Sequence, residues 1–144
     1  MAWRRTSFVL FTLVSLFLLW FGFVYATVHD MLWFHAAAVP EAIRPQVKPL
    51  YFALMHLIGG SSFALGLLGL YVLYGPVRKG VAGAATALTL VYLLPFAVAA
   101  YTAVELAERT GAPTAWYNMA ILSAITLAGY GAHALSKRGP LAQA

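Results

Sequence analysis

Two ionisable side chains, His56 and Glu105, lie within or at the end of long apolar stretches and are the first candidates for chemistry. An ionisable group inside a bilayer is costly, so it usually faces a protein interior or a cavity and marks function by default. A positioned histidine or carboxylate can move a proton to or from a lipophilic substrate. We therefore take His56 and Glu105 as catalytic candidates. With Tyr101 and Asn118, they are expected to be the polar contacts of a ligand pocket.

Each of these residues also has a structural interpretation that stays open. A hydrogen bond to a neighbouring helix would explain His56 without any ligand, and solvation at the membrane boundary would explain Glu105. No Ser-His-Asp arrangement, phosphate-binding glycine loop or buried lysine is apparent in the sequence. The residue types therefore leave open whether the protein is an enzyme.

Metal coordination is a second chemistry that the histidines suggest. His29, His35 and His56, with Asp30 or Glu105, would supply nitrogen and oxygen ligands for zinc, copper or iron. The spacing does not favour such a site, because His29 and His35 are six residues apart and lie on different faces of any helix. No Cys is present, so disulfides and thiolate ligands are excluded. We predict no metal ligand and leave the cofactor unknown.

Four apolar stretches must position these residues, and each is long enough to cross a bilayer. A hydrocarbon core of about 30 Å needs roughly 20 helical residues. The turn-forming segments Gly75-Pro76 and 110–113 separate the last three stretches. The sequence therefore predicts one all-α domain over residues 1–144, a polytopic membrane protein built as a four-helix transmembrane bundle. The expected spans are 7–28, 50–74, 81–105 and 114–135.

The first outer loop is expected to contain a short helix lying in the membrane interface. Residues 31–38 include Trp33 and Phe34, and aromatic residues of this kind suit the depth of the lipid headgroups. Pro40 would end the helix.

Composition supports a membrane protein and excludes several other classes. Hydrophobic residues make up 62% of the chain and charged residues 9%, whereas soluble domains have roughly a quarter charged. The net charge of +5 does not indicate nucleic-acid binding, because the cations lie at the ends of the apolar segments instead of in one aromatic-bearing patch. The expected partners are the lipid bilayer, a lipophilic small molecule, and a membrane-protein partner or further copies of the chain.

The distribution of cations predicts orientation and location. Six cations lie on the side of the membrane that holds the two termini and the loop between the second and third spans. Three cations and all four acids lie on the opposite side. The excess of lysine and arginine therefore predicts that both termini are cytoplasmic, in what we expect to be a bacterial inner membrane. A cleaved signal peptide in residues 1–27 is the alternative, but its apolar run exceeds the usual 7–15 residues. The six cations on the side of the termini are Arg4, Arg5, Arg78, Lys79, Lys137 and Arg138.

The second span carries a series of small residues that predicts close helix packing. Gly59, Ser62, Gly66 and Gly69 recur at spacings of three and four, and His56 continues the same series. We name Gly59, Ser62, Gly66 and Gly69 the glycine seam, and we expect His56 to point into the bundle with it. The fourth span shows a matching face, which consists of Asn118, Leu122, Thr126, Gly129 and His133.

Residues 50–71, with the sequence LYFALMHLIGGSSFALGLLGLY, resemble the second span of small DoxX-like four-helix proteins. Those proteins carry a Gly-Gly pair followed by an Ala-Leu-Gly-Leu run. The resemblance covers about 20 residues and the four-span layout. It implies a bacterial inner-membrane bundle, sometimes linked to quinone-coupled redox systems. No functional residue can be carried over from it.

The favoured interpretation is a four-helix membrane protein with an outward-opening pocket between the second, third and fourth spans. This pocket would bind a quinone, an isoprenoid or a lipid and could act on it by acid–base chemistry. One alternative is a structural subunit or scaffold of a larger membrane complex that uses the glycine seam for contacts. The other alternative is a metal-dependent membrane enzyme with histidine ligands.

Overall fold

Five α-helices make up the architecture of residues 2–138. The structure, a computed structural model, describes residues 2–138 and assigns no strand within that range. The helices are α1 (Ala2–Ala26), α2 (Trp33–Ala37), α3 (Arg44–Val72), α4 (Ala84–Thr110) and α5 (Trp116–Arg138). The predicted all-α fold is confirmed, and so is the short helix in the first loop, which is α2.

Four of the helices are long and apolar enough to cross a membrane. α1, α3, α4 and α5 contain 25, 29, 27 and 23 residues. At 1.5 Å per residue they extend roughly 35–44 Å, which exceeds the hydrocarbon core of about 30 Å. The chain is therefore an integral membrane protein whose helices continue into the headgroup regions. We call the end that carries residues 2–5 and the 78–83 turn the basic end, and the opposite end the loop end.

The turn predicted at Gly75-Pro76 is wrong, because the helix continues through it. Leu73–Val77 form a π-helical turn in which the amide of Arg78 donates to the carbonyl of Leu73 at 3.1 Å. Pro76 has no N–H, so a wider turn at this point satisfies the backbone that proline cannot. The chain reverses in residues 78–83, where Gly80 and Gly83 have φ of 76° and 77°. Glycine adopts these left-handed angles without a steric penalty.

Helix α1 is the centre of the packing, with α3 on one side and α5 on the other, while α4 packs mainly on α5. Gly59 and Gly66 of the glycine seam face α1, as the sequence predicts for close packing inside the bundle. A Cβ atom on Gly66 would lie 2.8 Å from the carbonyl oxygen of Ser15. At Gly69, an added Cβ atom would collide with the side chain of Tyr92 on α4. The small residues thus allow two neighbouring helices to approach α3 closely.

His56 does not belong to the buried face of α3, so the expectation that it points into the bundle is wrong. Tyr51, Met55, Gly59, Gly66 and Gly69 are buried, whereas His56 is exposed. A step of four residues from Gly59 reaches Met55, and a step of three reaches His56. Both steps fit helical periodicity, and the helix uses the first.

The face predicted for the fourth span is confirmed in its middle and fails at its start. Leu122, Thr126 and Gly129 are buried, and a Cβ atom on Gly129 would lie 3.4 Å from the Cβ of Leu10 on α1. Asn118 is exposed in the first turn of α5, where its backbone N–H donates to the carbonyl of Ala115 at 3.1 Å. The helix has barely begun at Asn118, so no neighbouring helix covers it.

A polar contact joins helices α1 and α4 within the core. The hydroxyls of Ser15 on α1 and Tyr92 on α4 lie 2.6 Å apart, and both side chains are buried. Phe11, Leu73 and Tyr92 have no exposed surface. This contact lies in the half of the bundle toward the basic end, where α3 and α4 come together.

Candidate functional site

His56 lies on a flank of α3 that faces away from α4. Successive residues of a helix are about 100° apart, which puts His56 roughly 140° around the axis from Gly69, the residue that meets Tyr92. The imidazole is exposed and stacks on Phe52, with ring centroids 6.4 Å apart. The predicted pocket between the second, third and fourth spans therefore does not include His56.

The other three predicted pocket residues lie near the loop end without forming a common site. Tyr101 is 68% exposed, and Asn118 is exposed as well. The Glu105 carboxylate forms an ion pair with Arg109 one turn later, at 2.6 Å. Hydrogen bonds and ion pairs within residues 2–138 join none of these side chains to another or to His56. The structure thus leaves the predicted set dispersed.

The residues considered as metal ligands are engaged in other contacts or exposed. His29 is exposed, and Asp30 forms an ion pair with Lys48 at 3.2 Å. The Met31 amide is the main cause that lowers the pKa of Asp30, and Lys48 adds to it. Among the residues that the structure describes, no group of three histidines or carboxylates could hold a metal ion.

The loop end is closed by a polar and aromatic cluster that the sequence did not reveal. The Nδ1 atom of His35 lies 3.1 Å from the hydroxyl of Tyr51, and that hydroxyl also accepts from the amide of Leu32 at 3.1 Å. Tyr25 approaches His35 edge-on, with centroids 6.4 Å apart. Burial lowers the pKa of His35.

Arg44 stabilises the same region through hydrogen bonds to backbone carbonyl groups. Its guanidinium donates to the carbonyls of Val39 at 3.0 Å and Ala36 at 2.9 Å, which satisfies the C-terminal end of α2. The side chains of His35, Arg44 and Tyr51 are thus paired within the protein. We interpret the cluster of Tyr25, His35 and Tyr51 as a structural lid on the bundle.

The basic end carries an open cleft, which we call the first cleft. Its volume is about 400 Å³, and it is lined by Arg4, Arg5, Phe8, Tyr74 and Arg78. Phe8 and Tyr74 meet edge to face with centroids 5.8 Å apart and form an apolar floor. The hydroxyl of Tyr74 lies 3.1 Å from that of Thr12, which fixes the ring against α1.

Arg4 forms one wall of the first cleft. One of its terminal nitrogens donates to the carbonyl of Arg78 at 3.0 Å, and its guanidinium carbon lies 5.9 Å from the centroid of Phe8. The first contact ties the start of α1 to the turn before α4, and the second is within cation–π range. Arg4 is thereby held in place above the aromatic floor.

A second cleft of about 260 Å³ adjoins the first and shares Arg4 and Arg78 with it. The Nδ1 atom of His133 is buried and has no hydrogen-bond partner within residues 2–138. The hydroxyl of Ser136 donates to the carbonyl of His133 at 2.7 Å. The polar residues that line the second cleft are Arg4, Arg78, Lys79, His133, Ser136 and Lys137.

The two ends of the bundle differ sharply in how their charges are balanced. Both ion pairs in the described part of the chain lie at the loop end, as do all four acids of the sequence. The described cations of the basic end have no carboxylate partner; they are Arg4, Arg5, Arg78, Lys79 and Lys137. Arginine offers a planar fork of donors that matches a phosphate or carboxylate. This end of the molecule is therefore suited to bind an anion.

Sequence reasoning missed this site because it treated the terminal cations only as markers of orientation. A usable signal was present. Arg4 and Phe8 are four residues apart, and so are Tyr74 and Arg78, so each pair lies on one helix face with an aromatic ring toward the membrane. Two such pairs at the same end of neighbouring helices indicate a site with a charged rim and an apolar floor.

Comparison of the chain with protein-family models, curated proteins and solved structures finds no match. The resemblance to DoxX-like proteins therefore stays a prediction, and the site is interpreted from its geometry alone.

Proposed function

We propose that this chain binds an anionic amphiphile, with the phosphate or carboxylate headgroup in the first cleft and the tail in the membrane. The observation that carries the proposal is the first cleft itself, in which three arginines surround an aromatic floor and have no carboxylate partner among the described residues. The ligand remains a lipophilic small molecule, as the sequence suggests. Its site is the basic end instead of an outward-opening pocket.

The surface above the first cleft offers a path for an apolar tail. Tyr74, Leu67, Phe63 and His56 are spaced by seven, four and seven residues, so they follow one flank of α3 from the basic end toward the loop end. Leu67 is 51% exposed and Phe63 is 39% exposed. A chain lying along this flank would contact lipid on one side and protein on the other. That position places His56 near the far end of a long tail.

The proposed location of the cleft follows from the orientation of the chain. Lysine and arginine concentrate on the cytoplasmic side of membrane proteins, and that leaflet carries the anionic lipids. We place both termini, and with them the first cleft, at the cytoplasmic face of a bacterial inner membrane. An anionic amphiphile would reach the cleft sideways through the lipid, because the cleft opens at the height of the headgroups.

Native mass spectrometry of the purified protein in nanodiscs of mixed phosphatidylcholine and phosphatidylglycerol tests the proposal. Arg5→Gln and Arg78→Gln each remove a cation from the first cleft, and Arg109→Gln removes one at the loop end. We expect the two cleft variants to retain at least about tenfold less phosphatidylglycerol, because a charge-assisted hydrogen bond contributes about 1.5–3 kcal/mol. Arg109→Gln should behave like the unaltered protein. Equal retention by all three variants would exclude the first cleft.

A structural role in a larger membrane complex is the second candidate, and the position of His56 favours it. The imidazole is exposed eight residues beyond Lys48, about 12 Å along the helix, where lipid would offer no hydrogen bond. A polar partner from another protein would satisfy it. The glycine seam does not support this role, since it packs against α1 and Tyr92. Loss of a co-purifying protein on His56→Phe, with lipid retention unchanged, would favour this candidate over lipid binding.

A further inference from the structure

The two clefts of the basic end are adjoining compartments with common walls. Arg4 and Arg78 line both of them, while Arg5 belongs to the first cleft and Lys137 to the second. Arg4 uses one terminal nitrogen to hold the carbonyl of Arg78. A guanidinium has five donor hydrogens, so most of its hydrogen-bonding capacity remains for groups on either side. One headgroup can therefore contact Arg4 from both compartments.

The second cleft also contains polar groups that have no partner among the described residues. Lys79 and Lys137 lie beside Arg4 and Arg78 with no carboxylate partner among the described residues. His133 also lines this cleft, and its Nδ1 atom is enclosed by the protein with no hydrogen-bond partner in residues 2–138. A buried polar atom left unpaired costs about 1–3 kcal/mol, and so usually has a ligand or water as its partner. The cations without a carboxylate partner, whose side chains are exposed in the cleft, point to an anionic group in this compartment.

We propose that the second cleft is a second phosphate subsite, and that the amphiphile bound at the basic end carries two phosphate groups. This inference rests on the proposed function and specifies its ligand class. A single phosphate in the first cleft would leave the lysines of the second cleft without a counter-charge. A second phosphate would neutralise them and accept hydrogen bonds from their ammonium groups. The shared Arg4 and Arg78 bridge the two groups.

Two matched ligands test this inference. Farnesyl monophosphate and farnesyl diphosphate have the same tail and differ by one phosphate. Each is titrated into the full-length protein in phosphatidylcholine nanodiscs, and the dissociation constant is measured. We expect the diphosphate to bind at least about tenfold more tightly, as one or more additional charge-assisted hydrogen bonds would produce.

Variants of the two clefts separate a second subsite from general attraction to a more highly charged ligand. Lys137→Gln should weaken binding of the diphosphate about tenfold and change binding of the monophosphate less than about twofold, because Lys137 lies only in the second cleft. Arg5→Gln should weaken both ligands by similar factors, since Arg5 lies only in the first cleft. Both side chains are exposed, so both variants should fold. If Lys137→Gln does not fold, Lys79→Gln tests the same prediction.

The results distinguish failure of this inference from failure of the proposed function. If Lys137→Gln weakens both ligands equally or neither of them, the second subsite is wrong. If the monophosphate binds in an Arg5-dependent manner and the diphosphate binds no more tightly, the proposed function survives alone. If neither ligand binds, both proposals fail.

Competition by lipids identifies the source of the two phosphates. Vesicles of cardiolipin and of phosphatidylglycerol, matched for phosphate, are added to the complex with farnesyl diphosphate. Displacement by cardiolipin alone assigns a lipid with two phosphates, and displacement by neither assigns a diphosphate ester. Equal displacement by both, or displacement by phosphatidylglycerol alone, would overturn selectivity for two phosphates.

Discussion

At the scale of single residues, both ion pairs of the described part of the chain lie at the loop end, whereas the described cations at the basic end have no carboxylate partner. Tyr51 accepts from Leu32 and contacts His35, and Lys48 meets Asp30. Ser15 and Tyr92 satisfy each other in the core. A buried or interfacial polar group that is fully paired serves stability. The described cations of the basic end have no carboxylate partner, and we therefore propose this end as the place where a ligand binds.

The stability of the protein should depend on pH through His35. Burial lowers the pKa of His35 in the folded protein below its ordinary value of 6.5. The unfolded chain therefore binds more protons between those two pKa values, and stability falls as the pH falls below about 6.5. The lowered pKa of Asp30 acts only below its ordinary value of 3.8, so it does not interfere. We expect a lower melting temperature at pH 5.5 than at pH 7.5.

Two glutamine variants isolate the contribution of His35. His35→Gln keeps a polar group toward Tyr51 but cannot titrate, so the difference between the two pH values should shrink. His29→Gln, at an exposed histidine of the same loop, should leave the difference unchanged. An undiminished difference in His35→Gln would show that another group controls the response.

The hydrogen bond between Ser15 and Tyr92 should make a modest contribution to stability. Polar contacts between membrane helices average about 0.6 kcal/mol, with a maximum of about 1.7 kcal/mol. We expect Tyr92→Phe and Ser15→Ala each to destabilise the protein by this order. A double-mutant cycle measured by unfolding in mixed micelles should give a coupling energy of the same order. Purely additive effects would mean that the two hydroxyls do not interact.

At the scale of elements, the packing of α3 on α1 is set by glycines. A side chain at Gly66 would meet the carbonyl of Ser15, whereas a Cβ atom at Gly60 would meet nothing within 4 Å. Helices in lipid gain little from apolar burial, because the lipid is equally apolar. Close backbone approach therefore provides the stabilisation, and the two glycines of one helix differ in whether they contribute to it.

Gly66→Leu should destabilise the folded monomer by about 1–3 kcal/mol or more, since overpacking forces the two backbones apart. Gly60→Leu is the matched control, with the same substitution on the same helix but an open position. Its effect on the melting temperature should be small. Similar losses for both variants would indicate that helix propensity, instead of packing on α1, controls the stability of α3.

The positions of the helices along the chain could be predicted from the sequence, because the features that determine them are local. Length and apolarity identify the spans, and glycine at spacings of three and four identifies the packed face. The same spacing could not decide between Met55 and His56, since both continue the series from Gly59. Only the contact with α1 selects Met55. The first cleft was beyond prediction for a different reason, because it joins Arg4 to Arg78 across 74 positions of sequence.

At the scale of the whole molecule, the charge asymmetry gives the bundle a direction. The acids and their ion pairs lie at the loop end, and the described cations without carboxylate partners lie at the basic end. Together with short loops, this distribution predicts a cytoplasmic basic end. The clefts would then face the leaflet where anionic headgroups are most abundant.

Single cysteines at Glu41 and Lys79 test that orientation in intact cells. Both positions are exposed, and they lie at opposite ends of the bundle. A membrane-impermeant maleimide should label position 41 and leave position 79 unlabelled until the membrane is opened. Labelling at position 79 alone would reverse the orientation and place the clefts on the external face.

The most direct test of the central claim is to ask which end of the bundle holds the amphiphile. A photoreactive benzoylphenylalanine is introduced at Tyr74, in the floor of the first cleft, or at Tyr101, an exposed tyrosine of the predicted outer pocket. After irradiation in native membranes, adducts are identified by mass spectrometry. We predict a phosphate-bearing amphiphile attached at position 74, enriched over its share of the bilayer, and no such enrichment at position 101. Enrichment at position 101, or adducts at both positions that simply mirror the bilayer composition, would contradict the proposed site.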